Sequence, residues 1–315
     1  MRARGARLWA AIAALASVVA FSACSGDDDE TAPAATTTTV APEALPPAVL
    51  AHGPFFFVGD VGAAAPFVNL DRYTRALVPD GRTYAFADSG PGTSIWFVGP
   101  TIEGVDIVWI EGAHFDREAG EVETAFFVEE AVSVGAGMWL LGDGQMAHVT
   151  RSDEGFEIDN VVGIGGQFVA AVSTRRAVWV ANDQGELIEF DSATGEVLRS
   201  LEDLDEDPVV DLDVDGGDLI ALTARGHVRG LDLESLAWFE IDAPEGTVEI
   251  AVSRRGDALA FATGSGDVWA RIDGKLSRVG GGLTGSVVDL AVRTEGGVRV
   301  IASSTTGVLL VPPLD

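Results

Sequence analysis

Residues Phe168 to Leu201 read FVAAVSTRRAVWVANDQGELIEFDSATGEVLRSL. Four short runs stand out: Phe168-Val-Ala-Ala-Val172, Ala177-Val-Trp-Val-Ala181, Glu186-Leu-Ile-Glu-Phe190 and Glu196-Val-Leu-Arg-Ser200. Each has the length and the β-branched or alternating character of a strand, and turn-forming residues separate them. Asn182-Asp-Gln-Gly185 is a tight turn whose glycine suits a positive φ. Asp191-Ser-Ala-Thr-Gly195 turns the chain again. The stretch therefore predicts four antiparallel strands.

Working outward, that turn glycine belongs to a ladder. Gly62, Gly104, Gly144, Gly185, Gly226, Gly266 and Gly307 are separated by 42, 40, 41, 41, 40 and 41 residues. A period of about 40 residues of short strands marks a β-propeller, one blade per repeat. Val209 to Val214, Asp218 to Thr223, His227 to Asp232 and Ala237 to Asp242 supply the next blade. Val248 to Val252, Ala258 to Ala262, Asp267 to Ile272 and Lys275 to Val279 supply another. The last unit has Val287 to Val292, Val298 to Ser303 and Gly307 to Val311, one strand short. A strand near Ala48 to Ala51 is expected to complete it and close the ring, which removes exposed sheet edges. Two degenerate units come first. One has Phe55 to Val58, Pro66 to Asn69 and Tyr73 to Val78. The other has Ile95 to Val98, Val105 to Ile110 and Val122 to Val128. The expected fold is all-β, a seven-bladed propeller with four antiparallel strands per blade; six or eight blades are the alternatives. Trp96, Trp139 and Trp179 occupy matching second-strand positions and are read as core between blades.

Val178-Trp-Val-Ala-Asn182, Gly185, Asp191 and Thr194-Gly195 resemble the YVTN, NHL and PQQ-like propeller repeats of exported bacterial proteins. The resemblance implies a funnel open on one face and no obligatory cofactor.

The N-terminus reads as an address. Arg2, Arg4 and Arg7 precede an apolar run from Leu8 to Phe21, too short to span a bilayer. Phe21-Ser22-Ala23-Cys24 resembles the bacterial lipobox, in which the Cys is lipidated and becomes the new N-terminus; Phe21 stands where that pattern usually has Leu. Cys24 is the only Cys in 315 residues, which excludes an internal disulfide or a CxxC metal site. Residues 1–23 are thus read as a lipoprotein signal peptide. Residues 24–47, with Asp27-Asp28-Asp29-Glu30 and a Thr/Ala/Pro run, are read as a disordered tether. Residues 48–315 are read as the propeller. The expected location is the outer face of a bacterial cell membrane, reached through the lipid alone.

Composition narrows the partners. With 47% hydrophobic residues the chain can build a core without disulfides. Net charge is −29, and the first 23 residues hold three cations and no acid, so the remainder stands near −32. That argues against nucleic acid and anionic lipid surfaces, and favours attraction for cations.

Aligning inner strands on Val132, Val172, Val214, Val252 and Val292 puts Glu129, Val169, Asp211, Glu249 and Asp289 in one column. Asp213 lies two residues further along its strand and, by alternation, on the same side. These acids are the candidate ligand or cation ring of the funnel; a divalent cation there is compatible, and no cofactor is predicted. Asp211-Leu-Asp213-Val-Asp215-Gly216 mimics an EF-hand opening, but Leu222 stands where that loop needs Glu, so a strand ending in a turn is expected. Thr150 to Phe156 is read as a hairpin turn rather than an Asp-box, because Ser152 and Asp153 are adjacent. His52, His114, His148 and His227 are scattered and read as exposed. No GxSxG elbow, P-loop or strand-linked GxGxxG is present in the sequence. The expected role is binding or scaffolding for a cell-envelope protein or small ligand, without catalysis. The alternatives are a metal-assisted lyase or hydrolase with its site in the funnel, and a ligand-sensing domain of a membrane complex.

Overall fold

The structure is a computed structural model. It describes residues 48–52, 55–60, 65–69, 74–75, 86–89, 95–100, 104–111, 116–202, 207–294, 297–311 and 314. The signal segment, Cys24, the tether and His114 lie outside the described residues.

Among the described residues, strands follow one another as antiparallel neighbours in seven separate sheets, six of four strands and one of three. The first strands of the sheets are Ala48–His52, Phe86–Ser89, Glu130–Val134, Phe168–Ser173, Val209–Asp215, Thr247–Val252 and Val287–Arg293. Each packs beside the first strand of the next sheet, and Val287–Arg293 packs beside Ala48–His52, which closes a ring of seven blades. The core lies between blades rather than within one. Trp96, Trp139 and Trp179 are fully buried in three successive inter-blade clusters, as their second-strand positions predict. Trp139 Nε1 donates across the seam to Ser192 O of the next blade (2.9 Å). Gly195, in that same turn, has φ +68°, and a Cβ there would sit 2.7 Å from the Trp139 ring. Glycine is required at this position by both conformation and close approach.

Three expectations are corrected. Ala48–His52 does not complete the last blade: it pairs with Phe55–Asp60 as the inner strand of the first. The second blade has an inner strand, Phe86–Ser89, that its few apolar residues did not announce. Its last strand is Asp116–Glu123, not Val122 to Val128. The sequence DREAGEVE lacks an apolar face because an outer strand has only one packed side. The stretch from Thr124 onward is the connector into the third blade, where Phe126 and Val128 are buried without being strand.

Second-to-third-strand turns and the connectors between blades lie on one face and are stitched together. Ile164 N–H donates to Gly144 O, Asp183 N–H to Gln167 O, Ala224 N–H to Pro208 O, Gly264 N–H to Gly246 O and Thr305 N–H to Ser286 O. We call this the turn face. From Gly104 onward the glycine ladder thus marks one fixed point per blade on it.

Candidate functional site

Backbone register determines which acids form a column. Val214 pairs with Leu219, Val252 with Leu259 and Val292 with Val300. In the third and fourth blades the matching pairs are Ser133 with Met138 and Ser173 with Val178. The sequence alignment is therefore one residue out in these two blades. The structural column is Glu130, Ala170, Asp211, Glu249 and Asp289; Glu129 lies one residue before it. All four acids of this column are buried, at 4% relative exposure or less.

A bulge aims them. The register shifts between Phe168 and Ala170, Val209 and Asp211, Thr247 and Glu249, and Val287 and Asp289. The extra residue in each case is a valine: Val169, Val210, Val248 or Val288. A bulge at a strand entrance re-aims the following side chain. Asp211 Oδ2 accepts from Ile250 N–H of the next blade (3.3 Å), and Asp213 Oδ2 accepts from Val252 N–H (2.9 Å). Asp213 Oδ1 also accepts its own neighbour's Val214 N–H (2.8 Å). An inner strand has no strand partner on its axial side, so its outward N–H groups need other acceptors. Asp211 and Asp213 supply them across the seam between the fifth and sixth blades. Among the described residues, no three His, Cys, Asp or Glu side chains form a set that could hold a metal ion.

Glu129 is half-buried on the turn face. Partial burial, then the Asp143 carboxylate, pushes its pKa up. Asp143 Oδ2 accepts Phe127 N–H at 2.9 Å. Two histidines belong to Asp pairs that sequence reading did not find. His227 is exposed, as expected, with Nδ1 3.0 Å from Asp207 Oδ2. Asp207 also accepts Thr223 Oγ1 (2.6 Å) and Arg225 N–H (3.0 Å). Burial works upward on the Asp207 pKa, but these three donors outweigh it and hold it below the usual range. His148 is buried, contrary to expectation. Its Nδ1 lies 2.8 Å from Asp159 and its ring 4.8 Å from that of Trp139.

The opposite face differs in charge. Between Thr124 and Gly307, the described turns and connectors of the turn face contribute Arg225 against exposed Asp143, Asp183, Asp242 and Glu245; two strand residues also reach this face, Arg271 to Asp242 and Arg278 to Asp267 (2.6 Å). The opposite turns hold exposed Arg175, Arg176, Arg254, Arg255 and Lys275 interspersed with exposed Asp153, Glu154, Glu196, Glu234, Asp257 and Asp273. They also hold Asp215, whose pKa burial raises first, followed by the charges of Asp218, Asp213 and Asp257. The EF-hand-like stretch ends in a Gly216-Gly217 turn, with Leu222 fully buried.

Together the blade ring and its stitched turn face define a β-propeller domain. No family model matches the chain, and no curated protein matches it in sequence. By fold, 1487 chains of solved structure match it, so the fold does not select a function. One is the β-propeller domain of Cps50 (Swd1) from Myceliophteria thermophila. It is 15% identical, covers 86% of this chain and 96% of its own, and has a TM-score of 0.67.

Proposed function

We propose that this chain is a lipid-anchored, extracytoplasmic binding or scaffolding module whose turn face receives a cationic segment of a cell-envelope protein or a cationic small ligand. The observation that carries this reading is the run of exposed acids on the turn face, Asp143, Asp183, Asp242 and Glu245, on loops with few cations, whereas the opposite turns mix both signs. A rigid face with acids on several blades concentrates positive partners and repels polyanions. Loops held by a closed scaffold are the usual place for recognition. The anchor rests on Arg2, Arg4, Arg7, the short apolar run and the single Cys24.

The test is capture of envelope proteins by the chain from residue 24, with Cys24→Ser. Neutralising Asp143, Asp183, Asp242 and Glu245 together should remove the captured partner, while Arg175→Ser with Arg176→Ser should leave it. Equal capture by both variants would sink the assignment of the face. Separately, Cys24→Ala should move the full chain from membrane to soluble fractions; unchanged membrane retention refutes the anchor.

A second reading, catalysis on the same face, is favoured by the His227 ring, which Asp207 orients while leaving it exposed. A stoichiometric divalent ion in the purified protein, lost in His227→Ala, would shift the conclusion to a metal-assisted enzyme.

A further inference from the structure

The axial mouth of the turn face carries an apolar collar. Connectors enter the inner strands from this face, so the first residues of neighbouring inner strands surround the axis there. Val169, Val210, Val248 and Val288, the extra residues at the bulges, lie at these entrances in the fourth to seventh blades. All four are half-buried, so each keeps part of its side chain accessible. The residue after each valine, Ala170, Asp211, Glu249 or Asp289, is buried. Over these four blades the mouth therefore presents valine methyls rather than carboxylates.

Position alone does not demand valine. Glu129 holds the corresponding place in the third blade and is half-buried too, so a charged residue fits there. β-branched side chains are stiff at χ1, which makes the four valines a fixed apolar surface. Phe127, two residues before Glu129, extends it: the side chain is exposed, and Phe127 N–H donates to Asp143 Oδ2 (2.9 Å). The other exposed large apolar residues among those described, Val161, Val197, Leu198 and Phe239, belong to outer strands.

Outside the collar stand the exposed acids Asp143, Asp183, Asp242 and Glu245. They come from the third blade, the fourth blade and the connector into the sixth. That spread suits an extended segment bearing several cations rather than one small cation. Apolar area gains from leaving water and the acids attract positive charge, so a ligand carrying both kinds of group gains twice.

We propose that the valine collar and Phe127 form an apolar subsite of the turn face, which takes an aliphatic side chain of a protein segment whose flanking Lys or Arg residues meet the surrounding acids. The assignment rests on the reading of this face as a receiver of cationic segments. It adds that charge alone does not select the partner.

Calorimetric titration of the chain from residue 24, with Cys24→Ser, tests this with two peptides of equal charge. One is acetyl-Lys-Leu-Lys-Leu-Lys-amide and the other has Ser in place of Leu. The leucine peptide is expected to bind at least ~10-fold more tightly, through burial of its aliphatic groups. Val169→Thr, Val210→Thr, Val248→Thr and Val288→Thr together keep β-branching but place a hydroxyl on each side chain, and should bring the two affinities within ~2-fold. Val210→Thr and Val248→Thr singly should each lower the ratio, so the result does not depend on the quadruple variant folding. Equal affinities in the parent, or an undiminished ratio in the Thr variants, overturns the collar. Octylammonium binding as tightly as the leucine peptide would make the occupant a small amphipathic cation, and also overturns it. Neutralising Asp143, Asp183, Asp242 and Glu245 together separates this from the reading beneath it, because the serine peptide should then no longer bind. Undiminished serine-peptide binding in that variant, or no binding of either peptide to the parent, refutes the charged face as well. Its loss there, with the leucine preference intact in the Thr variants, refutes the collar alone.

Discussion

At the scale of single residues, the most consequential finding is a reassignment. Two of the acids expected to face the funnel, Asp211 and Asp213, each spend one oxygen on a backbone N–H group of the next blade. Asp213 is the clearest case, with one oxygen on Val214 N–H and the other on Val252 N–H. Hydrogen bonds to a charged acceptor contribute about 1.5–3 kcal/mol each, and burial makes their loss costly. Asp213→Ala should therefore lower unfolding stability by roughly 2–4 kcal/mol in urea titration. A midpoint equal to the parent's would show that the seam does not depend on this side chain. The presence of four acids in five blades was readable in the sequence. Their membership was not, because Glu129 and Glu130 are adjacent and only strand pairing separates them. A signal was available in hindsight: valine immediately before the column position in Val169-Ala170, Val210-Asp211, Val248-Glu249 and Val288-Asp289. Valine at the bulge is the mark of that register.

Elements respond to pH in opposite directions. Asp207 ties the connector into the fifth blade to the Thr223–His227 turn, and its folded pKa is depressed. The stability it contributes is fully present above its unfolded pKa, about 4, and is lost as pH falls through its lower folded value. Asp207→Asn should make this turn exchange faster at neutral pH, and the difference from the parent should shrink on acidification below that value. An undiminished difference in acid would exclude the charge as its origin. Asp215 has a raised pKa, from burial and then from Asp218, Asp213 and Asp257. Its charge opposes folding at neutral pH, so Asp215→Asn should raise the unfolding midpoint there. That gain should disappear as pH falls below the range in which the folded Asp215 ionises. Destabilisation by Asp215→Asn at neutral pH would show that its bonds outweigh the repulsion. Neither role could be read from the sequence: Asp207 sits in a run of acids, and its partners come from a turn 16 to 20 residues away.

On the scale of the whole molecule, closure and charge dominate. The ring closes through contact between the first strands of the first and seventh blades, while the outer edge of the seventh stays open among the described residues. Most of the chain's net charge of −29 falls after residue 47 and loads this ring with self-repulsion. Raising salt from low ionic strength to about 0.5 M, where the Debye length falls below ~10 Å, should therefore raise the thermal midpoint. A midpoint that falls with salt would show that local ion pairs, such as Arg199–Glu189 and Arg229–Glu240, outweigh the global field.

The sequence by itself determined the repeat, the antiparallel strands, the buried second-strand tryptophans and the one turn per blade. These follow from short-range periodicity and from glycine at a fixed turn, which a linear reading captures. Tertiary structure decided three things. It set the membership of Ala48–His52 in the first blade, the identity of the acid column, and the clustering of exposed Arg175, Arg176, Arg254 and Arg255 on the turns opposite the turn face. Each depends on which strand lies beside which and on where bulges fall. A one-residue slip in register leaves composition and periodicity unchanged while moving a side chain from one environment to another.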